Sequence, residues 1–254
     1  MTGTVYLVGA GPGAPDLLTL RAADILGRAG IVLYDALVHP GTLALAARAE
    51  KIAVGKRSGR HSTAQRFINK QLVDAARKHA VVVRLKGGDP LLFGRAQEEI
   101  DALRSAGVAF EIVPGVTAAS AAGAELGISL TRRGVARKVA FVTPRAGAGE
   151  PTNEWASSVA AADTAVIYMG AGLAETIARE LARLGVRADT PLALVENASL
   201  PGSRILTGTL EHLARLAGSL GSGPAVVVLG EVVRAAQAAG ASLPARLRPL
   251  LKRA

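Results

Sequence analysis

TVYLVGAGPGAPDLLTLRAADILGRA, from Thr4 to Ala29, is the stretch on which the fold reading turns. Thr4–Val8 is a short apolar run rich in β-branched residues and reads as a strand. It breaks into the glycine- and proline-rich loop GAGPGAPD, Gly9–Asp16. Leu17–Ala29 then carries apolar residues at helical spacing, with Asp16 placed to cap the helix. The same alternation continues downstream. Ile31–Tyr34 is a second strand, ended by Asp35, and Thr42–Arg48 reads as a short helix. Lys51–Val54 is a third strand, followed by the polar loop GKRSGRHST, Gly55–Thr63. Helix Ala64–Lys78, the continuous buried strand Val81–Leu85, the loop KGGDP, helix Ala96–Ala106 and strand Ala109–Val113 complete a first half.

Pro114-Gly115 marks the domain boundary. Beyond it come helix Thr117–Leu126 and a basic connector, TRRGVARK (Thr131–Lys138). Strands follow at Val139–Thr143, Ala165–Tyr168, Leu192–Val195, Ser203–Thr207 and Ala225–Leu229, with helices at Leu173–Leu184 and Leu210–Leu216. The expected organisation is an α/β domain over 1–114, a second over 115–240, and a basic tail, 241–254. Strand–helix alternation in both halves predicts predominantly parallel sheets covered by helices, hence two α/β lobes with a cleft between them. Parallel sheets of this kind bind ligands at the carboxyl ends of their strands. Gly9–Asp16, Asp35, Gly55–His61 and Lys86–Pro90 all follow predicted strands, so they are expected on one face.

Composition narrows the function classes. Half of the 254 residues are hydrophobic, but only 3% are aromatic, so the core must be Ala, Val, Leu and Ile. No apolar run approaches the roughly 18–20 residues of a membrane span, and MTGTVYLVGAGPG has no basic leader region. With no cysteine there is no disulfide framework, thiolate metal site or cysteine nucleophile. His39, His61, His79 and His212 lack ligand spacing, so no metal is expected. A cytoplasmic location is the expectation. Thirty Lys and Arg against 20 Asp and Glu give a formal charge of +10. A basic solvated surface accounts for this, as does an anionic partner. RNA binding would call for stacking aromatics, and three Tyr, four Phe and one Trp leave few to spare. A small polyanion suits the composition better than nucleic acid or a membrane.

Two loops carry most of the chemistry. GAGPG has the outline of a dinucleotide fingerprint, but Pro12 removes a backbone N–H where a pyrophosphate wants a donor. Asp35, 26 positions after Gly9, also lies further on than the usual ribose-binding acid. A tight turn, a nicotinamide site and a different ligand seat all stay open on this loop alone. KGGDP sets two glycines and Asp89 directly after a buried strand. Glycines let a ligand approach the backbone closely, and Asp89 supplies a fixed carboxylate, although a plain turn would also use one of the glycines.

Taken in order, GAGPG, Tyr34-Asp35, VGKRSGRHS (Val54–Ser62), RLKGGDPLLFGR (Arg84–Arg95), VPGVTAA (Val113–Ala119), GISLTRR (Gly127–Arg133), YMG (Tyr168–Gly170) and VENASLPGSR (Val195–Arg204) resemble the tetrapyrrole methylase family. Within it, they resemble the uroporphyrinogen-III C-methyltransferases. The likeness runs over residues 4 to 235. VGKRSGRHS and RLKGGDP–FGR are far more specific than GAGPG, which the wider family shares.

The resemblance implies a two-lobed α/β methylase, normally a homodimer, that takes S-adenosylmethionine in its cleft and releases S-adenosylhomocysteine. The implied reaction methylates uroporphyrinogen III twice, at C-2 and C-7, giving precorrin-2 for sirohaem or cobalamin. It places the cofactor against Pro12, Gly87, Gly88, Asp89, Leu92, Thr117, Ala118, Met169 and Ala198. The implied proton acceptor is Asp35 and the implied proton donor is Lys56. Uroporphyrinogen III carries eight carboxylates, for which Arg57, Arg60, His61, Arg132, Arg133 and Arg137 are candidate partners, arginine forks being suited to carboxylates. Arg132, Ser129, Ala198, Ala96-Gln97 and Pro144-Arg145 depart from the usual family residues; those at Arg132 and Arg145 bear on which macrocycle is bound. The alternatives are a related methylase acting on another precorrin and a nicotinamide-dependent oxidoreductase.

Overall fold

The computed structural model describes residues 2–55, 65–147 and 154–238. They form two compact units, 2–117 and 118–238, each with its own five-stranded sheet.

In the first unit the elements are β1 (Thr4–Gly9), α1 (Leu20–Arg28), β2 (Ile31–Tyr34), α2 (Pro40–Ala44), β3 (Glu50–Ala53), α3 (Gln65–Ala76), β4 (Val81–Lys86), α4 (Ala96–Ser105) and β5 (Phe110–Val113). The sheet order is β3-β2-β4-β1-β5, and every pairing is parallel. Because strand residues alternate between faces, Val5, Leu7 and Val82 meet Ile68 and Leu72 of α3 and Ile100 and Leu103 of α4. Val8, Val32, Val83 and Leu85 face the other way, against Ala22, Ile25 and Leu26 of α1. Helices α1 and α4 therefore leave adjacent strands, β1 and β4, toward opposite faces of the sheet. That divergence is the point at which doubly wound sheets open a crevice. The loops there are Gly9–Asp16 and Lys86–Pro90.

The second unit contains α5 (Ala118–Leu126), β6 (Val139–Val142), α6 (Trp155–Ala161), β7 (Thr164–Tyr168), α7 (Ala174–Arg183), β8 (Pro191–Glu196), β9 (Arg204–Thr209), α8 (Leu213–Gly218), β10 (Ala225–Gly230) and α9 (Arg234–Ala238). Its order is β6-β7-β10-β8-β9. Here the expectation of a predominantly parallel sheet fails: only β6 and β7 pair in parallel, and the other three pairings are antiparallel. The cause is the turn at residues 197–203. It joins β8 and β9 as a hairpin, too short for a crossover, and so reverses the chain. Each helix-containing connection still joins strands of like direction, but β10 inserts between β7 and β8 and runs against both. Val166, Ala193, Val195, Val226 and Val228 pack on α5, and Ala165, Ile167, Leu192, Leu194 and Val227 pack on α7 and α8.

Element ends also shift. Asp16 caps nothing: Pro15–Leu17 form a single 3-10 turn, and the cap of α1 is Thr19, whose Oγ1 accepts from the Ala22 N–H at 3.2 Å. α2 begins at Pro40 and covers only five residues, and α6 stands where no helix is expected. β4 extends to Lys86, with Arg84 and Lys86 buried inside it.

Candidate active site

At the carboxyl ends of β1, β4 and β5 three glycines bring three backbones together. The Gly11 N–H donates to the Gly88 carbonyl at 3.2 Å, and the Gly88 N–H returns to the Gly11 carbonyl at 2.7 Å. A methyl group built on Gly9 would lie 2.6 Å from the Gly115 Cα and 2.7 Å from the Gly88 oxygen. No side chain fits there. By contrast, a methyl on Gly88 would meet nothing within 4 Å, and one on Gly87 only Leu37, at 3.4 Å. Gly88 also has φ +67°, in the left-handed region that glycine favours. Gly87 and Gly88 thus present bare backbone to open space, the property a closely bound ligand requires. Asp89 braces this arrangement: Oδ1 accepts from the Leu91 N–H at 2.8 Å and Oδ2 from the Gly115 N–H at 2.9 Å. Pro12, Leu92 and Thr117 are half-buried around the same loops. The Gly11 N–H is spent on Gly88 and α1 starts only at Leu20, so GAGPG offers no pyrophosphate seat at a helix terminus.

Asp35 follows β2, and its N–H donates to the Leu85 carbonyl at 3.1 Å. Its side chain is 29% exposed and pairs with Arg84, Nη2 to Oδ1, at 2.5 Å. Arg84 is 3% exposed and also donates from Nε to Glu99 Oε1 at 2.9 Å and from Nη1 to the Leu85 carbonyl at 3.2 Å. The second Glu99 oxygen takes Lys86 Nζ at 2.8 Å, and both of those side chains are buried. Two cations and two anions thus form a row beneath the loops. Burial pulls the Arg84 guanidinium down, but the Asp35 and Glu99 carboxylates outweigh it and hold it above its ordinary value. For Lys86 burial prevails, reinforced by the Arg84 charge, and its ammonium lies below its ordinary value despite Glu99. Sequence reading missed Arg84, Lys86 and Glu99. The available signal was a charge inside the apolar run VVVRLK, since a buried charge demands a partner.

In the second unit, Ala118, Met169 and Ala198 are borne on separate elements. The Tyr168 hydroxyl accepts from the Ala119 N–H at 3.1 Å, tying the end of β7 to the start of α5. Glu125 of α5 accepts from the Ser199 N–H at 3.0 Å and the Ser203 hydroxyl at 2.9 Å, gripping the turn that carries Ala198. Asn197 and Ser199 take left-handed backbone there, as does Met169, which is exposed. Arg132, Arg133 and Arg137 are exposed on one tight hairpin, closed by reciprocal bonds between Arg132 and Ala136 of 2.8 and 2.7 Å. Lys56, Arg57, Arg60 and His61 lie outside the described residues.

Comparison with known proteins accords with this geometry. A siroheme synthase from Pseudomonas fluorescens is 48% identical over 235 residues, 92% of this chain and 51% of that protein. The chain spans about half the length of the curated relatives it matches. Among solved structures, a uroporphyrin-III C-methyl transferase from Thermus thermophilus, complexed with S-adenyl homocysteine, is 44% identical. The match covers 92% of this chain and all of that one, with a TM-score of 0.81. A cobalt precorrin-4 methyltransferase of cobalamin biosynthesis is 29% identical over 91% of this chain and 95% of its own, with a TM-score of 0.80. Residues 4–214 match the family described as tetrapyrrole (corrin/porphyrin) methylases. These matches overturn the nicotinamide alternative: the chain belongs to the tetrapyrrole methylase family.

Proposed function

We propose that this chain transfers two methyl groups from S-adenosylmethionine to uroporphyrinogen III, at C-2 and C-7, yielding precorrin-2 and two S-adenosylhomocysteines. The observation that carries the reading is the open backbone of Gly87 and Gly88 beside the closed Gly9–Gly88–Gly115 junction. It is supported by the likeness to a Thermus enzyme named as a uroporphyrin-III C-methyl transferase and complexed with S-adenyl homocysteine.

S-adenosylmethionine supplies an electrophilic methyl on a sulfonium. A carbon–carbon bond forms as the sulfur–carbon bond breaks, the reduced pyrrole furnishing the electron pair. The protein's share is alignment, exclusion of water and proton removal, and alignment alone supplies up to about 7–11 kcal/mol. The bare Gly87-Gly88 backbone, together with Pro12, Asp89, Leu92, Thr117, Ala118, Met169 and Ala198, is assigned to the cofactor. Asp35 takes the proton released as the macrocycle rearranges, and Lys56 is the proton donor. Arg132, Arg133 and Arg137, with Arg57, Arg60 and His61, are assigned to the carboxylate arms. The working form is a cytoplasmic homodimer, for which light scattering should give twice the 25.9 kDa chain mass.

Incubating the purified protein with labelled S-adenosylmethionine and uroporphyrinogen III tests the reading. Two methyl groups incorporated per macrocycle are expected, and none would overturn it. The precorrin-4 methyltransferase likeness favours a second reading, methylation of another precorrin. Label appearing only with a precorrin acceptor would select that reading.

A further inference from the structure

We propose that Arg84 is a positioning residue for Asp35 and that Glu99 holds Arg84 in that role. The inference rests on Asp35 being the proton acceptor of the function proposed above. Arg84 is locked: Nε goes to Glu99, Nη1 to the Leu85 carbonyl and Nη2 to Asp35. A planar guanidinium held at its other nitrogens presents the last one in a fixed direction, as a lysine cannot. It pins Asp35 Oδ1 and orients Oδ2, which has no partner among the described residues.

Burial separates the two groups: Arg84 is 3% exposed and Asp35 29%, so only the carboxylate reaches the surface, with Arg84 behind it. Gly55 packs close to the same carboxylate. A methyl there would come within 2.8 Å of the Ala36 nitrogen, 2.9 Å of the Asp35 Cα and 3.2 Å of Oδ1, so a side chain at 55 would press on the Asp35 backbone and its carboxylate. Glu99 links this assembly to the glycine loop, because its other oxygen holds Lys86, the residue before Gly87. One buried carboxylate thus registers the acceptor against the loop assigned to the cofactor. A purely structural strand would not call for this row, since buried ion pairs replaced by apolar residues often leave a fold as stable or more so.

The test is a double-mutant cycle on kcat, with S-adenosylhomocysteine affinity measured on each variant. Arg84→Met is expected to lower kcat about tenfold or more, short of the roughly 100- to 10,000-fold that a whole acid–base group contributes, with KM and cofactor affinity nearly unchanged. Arg84→Lys should restore part of the loss. In an Asp35→Asn background, Arg84→Met should lower kcat by less than about threefold, because groups acting as a unit are not additive. Losses that multiply, an unchanged kcat in Arg84→Met, or a parallel fall in cofactor affinity would overturn the proposal. If Arg84→Met does not fold, Glu99→Gln decides: lower kcat at unchanged cofactor affinity supports the proposal, and wild-type kcat overturns it. Wild-type kcat in Asp35→Asn removes the acceptor assignment, and the proposal with it. Intact Asp35 dependence with additive losses removes the Arg84 role alone.

Discussion

Gly9 and Gly88 show how neighbouring glycines serve different ends. At Gly9 a side chain would strike the Gly115 and Gly88 backbones, which cannot yield cheaply. Gly9→Ala should therefore cost about 1–3 kcal/mol of folding stability, as overpacking does, and urea unfolding measures it. At Gly88 a methyl meets open space, leaving only left-handed backbone strain, about 1–2 kcal/mol. If that space holds the cofactor, Gly88→Ala should weaken S-adenosylhomocysteine binding, read by calorimetry, well beyond what its stability loss explains. Equal affinity in the variant would place the cofactor elsewhere. Both glycines can be marked from sequence as loop residues. Which of them is crowded depends on the loop after β5, where Gly115 lies more than a hundred positions beyond Gly9.

Among the elements, the 197–203 turn is the one that most alters the second sheet. Glu125 grips it through the Ser199 N–H and the Ser203 hydroxyl. Glu125→Ala removes both of these bonds to a charged group and should cost about 1–3 kcal/mol, visible in thermal unfolding. Weaker cofactor binding should accompany it if Ala198 lies against the cofactor. A second element-level device joins the ends of two strands. Asp163, just before β7, accepts from the Arg137 and Lys138 N–H groups at 2.8 and 2.9 Å. Those bonds hold its carboxyl below the ordinary 3.8. A group lowered on folding adds stability above its ordinary value and loses it as pH falls through the lowered one. Stability of Asp163→Asn should thus trail wild type at neutral pH and converge with it below about pH 4, followed by melts across that range.

For the molecule as a whole, the family assignment makes cofactor binding a stability measurement. A hundredfold excess of S-adenosylhomocysteine over Kd adds about 2.7 kcal/mol. For a chain of this size that corresponds to a rise of roughly 5–10 °C in melting temperature. NAD should leave the melt unmoved; a shift with NAD alone would contradict the assignment. The positive charge and scarce aromatics, read from composition, accord with a polycarboxylate better than with RNA. The chain matches about half the length of its siroheme synthase relatives, and the methylase reading concerns that half.

Most strand and helix positions, though not α6 or the start of α1, were readable in the sequence along with the glycine loops and the family motifs, because each is written in consecutive residues through periodicity, turn chemistry or a fixed spacing. The first sheet followed directly, since every connection in it carries a helix and so keeps one strand direction. Tertiary structure alone decided the second sheet, where one short turn reversed the chain and β10 inserted between β7 and β8, which are consecutive in sequence. It also decided the row Asp35–Arg84–Glu99–Lys86. A charge inside VVVRLK announces that it needs a partner, but not which one: Asp35 lies 49 positions before Arg84 and Glu99 lies 15 after it. Local sequence sets local conformation, whereas the pairing of buried charges is settled by how strands and helices pack.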